Sequence, residues 1–373
     1  MMNASISNTP SGKLRARGLG LQFSGVTGPN NSITDVPGVS VGYTTIIQGQ
    51  GALNVGHGPI RTGVTAILPR SKADICQPVF AGYFNFNGNG ELSGAHYLDE
   101  VGQLSFPITI TNTNSCGISR DATLQWAFKS SPGALTDSFA LPVAAETYDG
   151  FLNDINGFHI NAEHVFSAID NARQGPIEEG SVGGGTGMKC FEFKAGSGTA
   201  SRQITYAGQS YTVGTFVQAN FGQREDLTIL GKNIGLQLKE PRMTQNTAVP
   251  DLSSIIVVIA TDAPLLPHQL QRLARRATLG MARLGTSGNH SSGDLFLAFS
   301  TANQQPLSAT TAAVQNLKFI PDQQLDPFFA AVVQGVEEAI INSMVANDTM
   351  TGRDHNSVPA LPHNILSILA ETN

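Results

Sequence analysis

An unbroken apolar run, Ile255-Ile256-Val257-Val258-Ile259-Ala260, follows Ser254 and ends at Asp262-Ala263-Pro264. Such a run predicts a strand buried on both faces. Pro267 then stands where the first turn of a helix tolerates a missing N–H. Leu266, Leu270, Leu273, Ala277, Met281 and Leu284 recur at helical spacing, with Gly285 placed to stop the helix. Arg272, Arg275 and Arg276 fall on its other faces, solvated or ion-paired. Further on, Leu295 to Phe299 and Asn316 to Ile320 read as strands, and Asp326 is a candidate cap for a long helix from Pro327 to Val345.

Upstream, residues 1–30 read as an arm leading into short strands and turns from Ile33 to Leu68. Val64 to Leu68 and the β-branched stretch Ile108 to Thr113 fit strands, and Asp121 to Phe128 looks like the start of a helix. Asn161 to Ala172 predicts an amphipathic helix with Val165, Ile169 and Ala172 on one face. Gly180 to Gly187 reads as a very flexible loop that packs close to something. Gln203 to Ala219 alternates like a hairpin with Gly208 at its turn and ends at Asn220.

Composition agrees with a folded α/β or α+β chain. There are 373 residues, 40% hydrophobic, only 13% charged, and 40 glycines, enough for a sizeable core and too little charge for a disordered chain. The net charge of −6 comes without a Lys/Arg stripe, so a nucleic-acid partner is not expected. Cys76, Cys116 and Cys190 form no CxxC pair or disulfide framework and read as small buried residues. Met1 to Ser11 is polar, and no run approaches the ~20 apolar residues of a membrane span. The expectation is a cytoplasmic protein without membrane partners, or a periplasmic one if a leader has been removed.

Generic catalytic signatures are missing: there is no G-x-S-x-G, no G-x-x-x-x-G-K-[ST] and no H-E-x-x-H. His159 and His164 lie five apart, the wrong spacing for two ligands on one helical face, so no metal is expected. Ser291-Ser292-Gly293-Asp294 places hydroxyls and a carboxylate at the mouth of a strand, where they fit either a relay or simple turn chemistry. Glu146-Thr147-Tyr148-Asp149-Gly150 reads by itself as a turn with a stray acid. The polar segment Lys239 to Ser253 is the one marked break, directly before the apolar strand.

These pieces together resemble one family. Ser254 followed by IIVVIATDAPLLPHQLQRLARRATLG looks like the start of the small subunit of the L-aminopeptidase/D-esterase and β-aminopeptidase family. ITDVPGVSVG, AETYDGFLND, GSVGGGTGMKCFEFKAGSGTASR, VQANFG and SGDLFLAFSTAN are similar to that family in the same order. The resemblance implies an α+β fold, a four-layer αββα sandwich of the N-terminal-nucleophile-like type known as the DOM fold. It implies a single domain over 1–373 that cuts itself into a 1–253 large subunit and a 254–373 small subunit. Ser254 becomes the nucleophile and Ser253–Ser254 the cleaved bond, with Leu252–Ser253 as the alternative cut. By the same resemblance Ser292 and Asp294 form a relay to the nucleophile, Asn220 is an oxyanion donor, Tyr148 lines the site, and Glu146 holds the substrate's ammonium. Relatives carry Glu in place of Asp294.

The implied activity is that of a serine aminopeptidase or amidase releasing N-terminal L-α-, β- or D-amino acids from short peptides, amides or esters. Homo-oligomers of the cleaved heterodimer, commonly tetramers, are implied, and no cofactor. Two alternatives stay open: an acyltransferase of the ornithine-acetyltransferase type, against which Ser254 argues because those enzymes use threonine at the cut, and an uncut ligand-binding protein.

Overall fold

Alternation along the strand that opens at Ser254 divides its side chains between two interiors. Ile255, Val257 and Ile259 join one apolar cluster, and Ile256, Val258 and Ala260 another. A computed structural model of the chain, describing residues 4–133, 135, 139–246, 252–303 and 314–366, shows what builds them. Ten strands form two main sheets: β1 (Ser40–Gln48), β2 (Ile60–Leu68), β3 (Val79–Gly88), β4 (Gln103–Leu104), β5 (Ile108–Asn112), β6 (Ala144–Thr147), β7 (Ser197–Tyr206), β8 (Gln209–Asn220), β9 (Ser254–Thr261) and β10 (Gly293–Ser300). One sheet has the order β1-β2-β5-β6, the other β4-β3-β10-β9-β8-β7. Within the second, β9 is central, antiparallel to β8 and parallel to β10.

Four long helices cover the outer faces. α1 (Cys116–Ser130) and α2 (Ala162–Asp170) pack on the four-stranded sheet, and α3 (Pro267–Ala282) and α4 (Asp326–Val345) on the six-stranded one. Three apolar layers result. Val64, Ala66, Trp126 and Val165 lie under α1 and α2. Ile67, Ile110, Phe216, Ile256 and Leu297 fill the space between the sheets. Val257, Leu273, Phe328 and Val336 lie under α3 and α4. This is the four-layer αββα sandwich.

Most predicted elements are present, with longer bounds. The hairpin turns at Ala207-Gly208, where both residues have positive φ (50° and 76°), as a tight two-residue turn requires. Asn161 caps α2 by accepting the His164 N–H at 3.2 Å. Gly285 follows α3 with φ 100°. Arg272 pairs with Asp322 at 3.4 Å, while Arg275 and Arg276 lie over the rings of Phe84 and Phe329.

Four expectations need correction. Asn316 to Ile320 forms no strand; the segment is mostly exposed, and the amide of Ile320 goes to the Pro264 carbonyl. Asp326 does not cap α4 but begins it, and the helix is opened by Leu325 without a side-chain cap. The Gly180 to Gly187 stretch is not a loose loop, because Gly183–Gly185 form a buried turn of helix clamped against β2, β5 and β8. A Cβ on Gly184 would stand 2.2 Å from Gln218 Oε1 and 2.5 Å from the Ile110 carbonyl, so only glycine fits. Finally, α4 is 20 residues long and apolar enough to match a membrane span by length and composition, but 89% of its apolar window is buried inside the protein. It is a core helix.

The arm is tied down by buried charge. Arg15 donates to Glu179 at 2.6 Å, and Arg17, Arg202 and Asn31 all donate to Glu338 on α4 at 2.6–2.9 Å. The group joins the arm, α4 and β7. Removing one member of such a cluster leaves the others buried without a counter-charge, a loss of about 3–5 kcal/mol. Glu338→Ala is therefore expected to lower unfolding stability by that amount in denaturant titrations at neutral pH.

Candidate active site

The register of the six-stranded sheet sets three residues side by side. Ser254 faces Asn220 of β8 on one edge and Gly293 of β10 on the other. Alternation puts Ser254 on the same side as Ile256, toward the gap between the sheets. Its hydroxyl is buried and has no hydrogen-bond partner among the described residues. The preceding carbonyl, that of Ser253, accepts the Gly293 N–H at 3.1 Å. One residue earlier, the Leu252 carbonyl accepts from Asn220 Nδ2 at 3.3 Å, and the same amide group donates to the Tyr148 carbonyl at 2.9 Å. Asn220 Oδ1 in turn accepts the Lys189 N–H at 3.1 Å. Both carbonyls that flank a cut, at Ser253 or at Leu252, thus already carry a donor. The remainder of the predicted break falls partly on residues 247–251, outside the described residues.

Ser292 and Asp294 come together as a pair, the hydroxyl donating to Oδ1 at 2.6 Å. Both are buried. Burial pushes the Asp294 carboxyl up to about 6, with the Ser292 hydroxyl and the facing Asn87 side chain opposing it. Its second oxygen has no hydrogen-bond partner among the described residues. Neither residue bonds to Ser254, so in the continuous chain the relay stops short of the nucleophile. The Ser254 hydroxyl and the Asp294 Oδ2 are both buried and unsatisfied among the described residues, the kind of exception in a native interior that calls for an explanation.

Glu146 is the penultimate residue of β6, on the facing sheet. Its carboxylate accepts the Glu91 N–H at 2.9 Å and the Thr113 hydroxyl. A Cβ on Gly90 would stand 3.2 Å from Glu146 Oε1 and 3.4 Å from the Gly293 Cα, so this glycine is wedged between the acid and the nucleophile's neighbour strand. Burial raises the Glu146 pKa, and its two hydrogen bonds hold the rise back. Tyr148 is half-buried two residues on, its phenol pKa raised by burial. The stretch Glu146 to Gly150 therefore begins as the end of a strand, with its acid buried and hydrogen-bonded, and is not a turn with a stray acid. Of the two histidines, His159 bonds to Asp154 at 2.9 Å and the His164 Nδ1 accepts the Asn161 N–H.

Two features went unread in the sequence. The Gly293 N–H is a backbone donor, and nothing in Ser-Gly-Asp distinguishes it from any other amide. A Cβ there would lie 2.4 Å from the Asn89 carbonyl, which ties the position to glycine only once the fold is known. Asp149 is fully buried beside Tyr148, with a pKa pushed up by burial to about 7 against the opposing bonds from Thr62 and Asn153. Its signal was its place in the AETYDG stretch, next to the residues singled out.

The profile of peptidase family S58 matches residues 31–358. The chain is similar to the β-peptidyl aminopeptidase BapA of Sphingosinicella microcystinivorans, at 50% identity over 94% of this chain and 90% of that protein. Among solved structures it superposes on the L-aminopeptidase D-Ala-esterase/amidase of Ochrobactrum anthropi with a TM-score of 0.89 and 46% identity, covering 96% of this chain and 98% of the other. That enzyme is described as a prototype of the serine aminopeptidases and a variant of the Ntn hydrolase fold. A Burkholderia β-aminopeptidase superposes with a TM-score of 0.86 and 43% identity over 96% and 98% of the two chains.

The Asp294 carboxyl supplies a pH test. Its folded pKa of about 6 lies above the ordinary 3.8, so ionisation disfavours the folded state. The stability linked to it is full below pH ~3.8 and declines as pH rises to about 6. A relay through ionised Asp294 predicts the opposite trend for catalysis: the rate rises with pH to a midpoint near 6. In a pH–rate profile of the purified protein, Asp294→Asn should remove that limb and slow the reaction; a limb unchanged in the variant would assign it to another group.

Proposed function

The chain belongs to peptidase family S58 and is a serine aminopeptidase of the Ntn hydrolase fold, and from that premise we propose that it activates itself by cutting the Ser253–Ser254 bond. The observation that carries this reading is the pairing of an unpartnered Ser254 hydroxyl with an adjacent carbonyl already held by the Gly293 N–H. Attack of Ser254 Oγ on the Ser253 carbonyl carbon passes the hydroxyl proton to the leaving amide nitrogen and gives an ester. Water then hydrolyses the ester, leaving a carboxylate on Ser253 and a free hydroxyl and α-amine on Ser254. An α-amine has a reference pKa of ~7.7–8.0, so a useful fraction is neutral and able to take the Oγ proton in later turnovers.

Departure of the Ser253 carboxylate vacates the two donors that held the precursor's carbonyls. The Gly293 N–H and Asn220 Nδ2 then serve the oxyanion of a substrate, each such donor worth about 2.7–4 kcal/mol of barrier. Ser292 and Asp294 complete the proton relay once the strand end is free to shift toward them. Glu146 takes the substrate's ammonium, and Tyr148 lines the cleft. β-Aminoacyl amides and short β-peptides are the proposed substrate class, supported by the names of the relatives at 50% and 44% identity. We also assign a homo-oligomer of cleaved heterodimers, a tetramer by family resemblance, and a cytoplasmic residence consistent with three unpaired cysteines.

Two measurements test the proposal. Denaturing mass spectrometry of active enzyme should show one fragment ending at Ser253 and one beginning at Ser254, and Ser254→Ala should stay uncut and inactive. Processing at this bond in that variant would refute the nucleophile. Glu146→Gln should lower kcat/KM for amides with a free amine by tenfold or more while leaving self-cleavage within a few-fold. Equal loss of both would make Glu146 a structural residue.

A further inference from the structure

Lys194 is fully buried, and no ion pair with it occurs among the described residues. Its ammonium donates instead to two backbone carbonyls, Met188 at 2.7 Å and Ala195 at 2.6 Å. Burying a lysine without a carboxylate is costly, and burial drives its pKa well below the ordinary range. The two bonds need two protons, which both the ammonium and the neutral amine possess.

The Met188 carbonyl belongs to the same peptide group as the Lys189 N–H, and that N–H donates to Asn220 Oδ1 at 3.1 Å. We propose that Lys194 is a positioning residue, acting through this single peptide group to fix the orientation of the Asn220 side-chain amide. The proposal rests on the reading of Asn220 as an oxyanion donor. With Oδ1 held by Lys189, the amide's NH₂ must face the Tyr148 and Leu252 carbonyls. A flipped amide would set NH₂ against an N–H and an oxygen against two carbonyls. A donor on the peptide oxygen also polarises the peptide and strengthens its N–H, since linked hydrogen bonds reinforce one another in an interior.

The local backbone needs such a clamp. Lys189 and Lys194 are opposite partners in a short hairpin whose turn, Phe191-Glu192, has φ of 50° and 61° without a glycine. Left-handed backbone at such residues is uncommon and held only by its surroundings. Here Phe191 is pinned by the Phe221 carbonyl and stacks edge-on against the Phe221 ring. Lys194 ties the returning strand to the Met188–Lys189 peptide from inside.

Steady-state kinetics on the cleaved enzyme with a β-amino acid amide test this. Lys194→Met should lower kcat at least tenfold with KM changed less than threefold. Lys194→Gln, whose amide reaches a carbonyl, should recover part of the loss. In the Asn220→Ala background, Lys194→Met should cost less than twofold, because the group it positions is gone. Equal losses in both backgrounds, or an unchanged kcat, would overturn the proposal. So would failure of both Lys194 variants to fold, which would make the residue a folding clamp. An Asn220→Ala enzyme with undiminished kcat would instead remove the premise, and the single variant identifies that case.

Discussion

A serine proposed to become both nucleophile and chain terminus has to be held still, and termini ordinarily fray. Here Ser254 opens a strand that lies between two others, with Asn220 hydrogen-bonded in register on one side and Gly293 on the other. The six residues that follow are apolar and wholly buried, three toward each neighbouring interior. Cutting the chain before Ser254 removes one covalent bond while leaving these ladders and both cores intact. The rest of the architecture can be understood as serving this constraint: two helices cover one face of the strand, and a second sheet covers the other.

That second sheet does more than bury the strand. Its β6 carries Glu146 one residue from its end and Tyr148 just beyond, so the gap between the sheets is lined from both sides by polar residues at one rim and by aliphatic residues deeper in. Close backbone approach is what keeps the rim narrow. Gly90 packs between Glu146 and Gly293, and the Gly183–Gly185 turn wedges against both sheets. A side chain at Gly90 would press on the acid, and one at Gly184 would press on Gln218 and the Ile110 carbonyl. The glycine content that reads in the sequence as looseness is, at these positions, the means of tight approach.

What was legible in the sequence follows from where physics leaves a periodic trace. The β9 run and the α3 spacing are long, regular and buried, and both were readable to within a residue or two. Asn316 to Ile320 misled because β-branched and apolar content says nothing about whether a neighbour strand exists to pair with. The helix at Cys116–Ser130 was caught only from Asp121, since its first turn, Cys-Gly-Ile-Ser, holds poor helix formers and follows a short turn of another helix. The site side chains were named through resemblance, and the fold brings Ser254, Asn220, Ser292, Asp294, Glu146 and Tyr148 to one rim. The Gly293 amide and the Lys194 clamp left no trace, because a backbone donor has no letter of its own and a buried lysine looks like any surface one.

The electrostatics of the rim explain why such a site discriminates for a free amine. Glu146, Asp149 and Asp294 are all raised by burial, and like charge adds to two of them: Glu91 raises Glu146, and Glu146 raises Asp149. None of the three is paired with a cation among the described residues. An entering ammonium relieves that strain directly: it favours the ionised form of Glu146 and lowers the cost of keeping the neighbouring carboxyls charged. A substrate whose amine is acylated brings a polar group into the same place without the counter-charge, and leaves the acid desolvated and uncompensated. On the proposed assignment of Glu146 to the substrate's ammonium, recognition of a free N-terminus would follow from burying carboxylates near Ser254 without giving them a cation of their own.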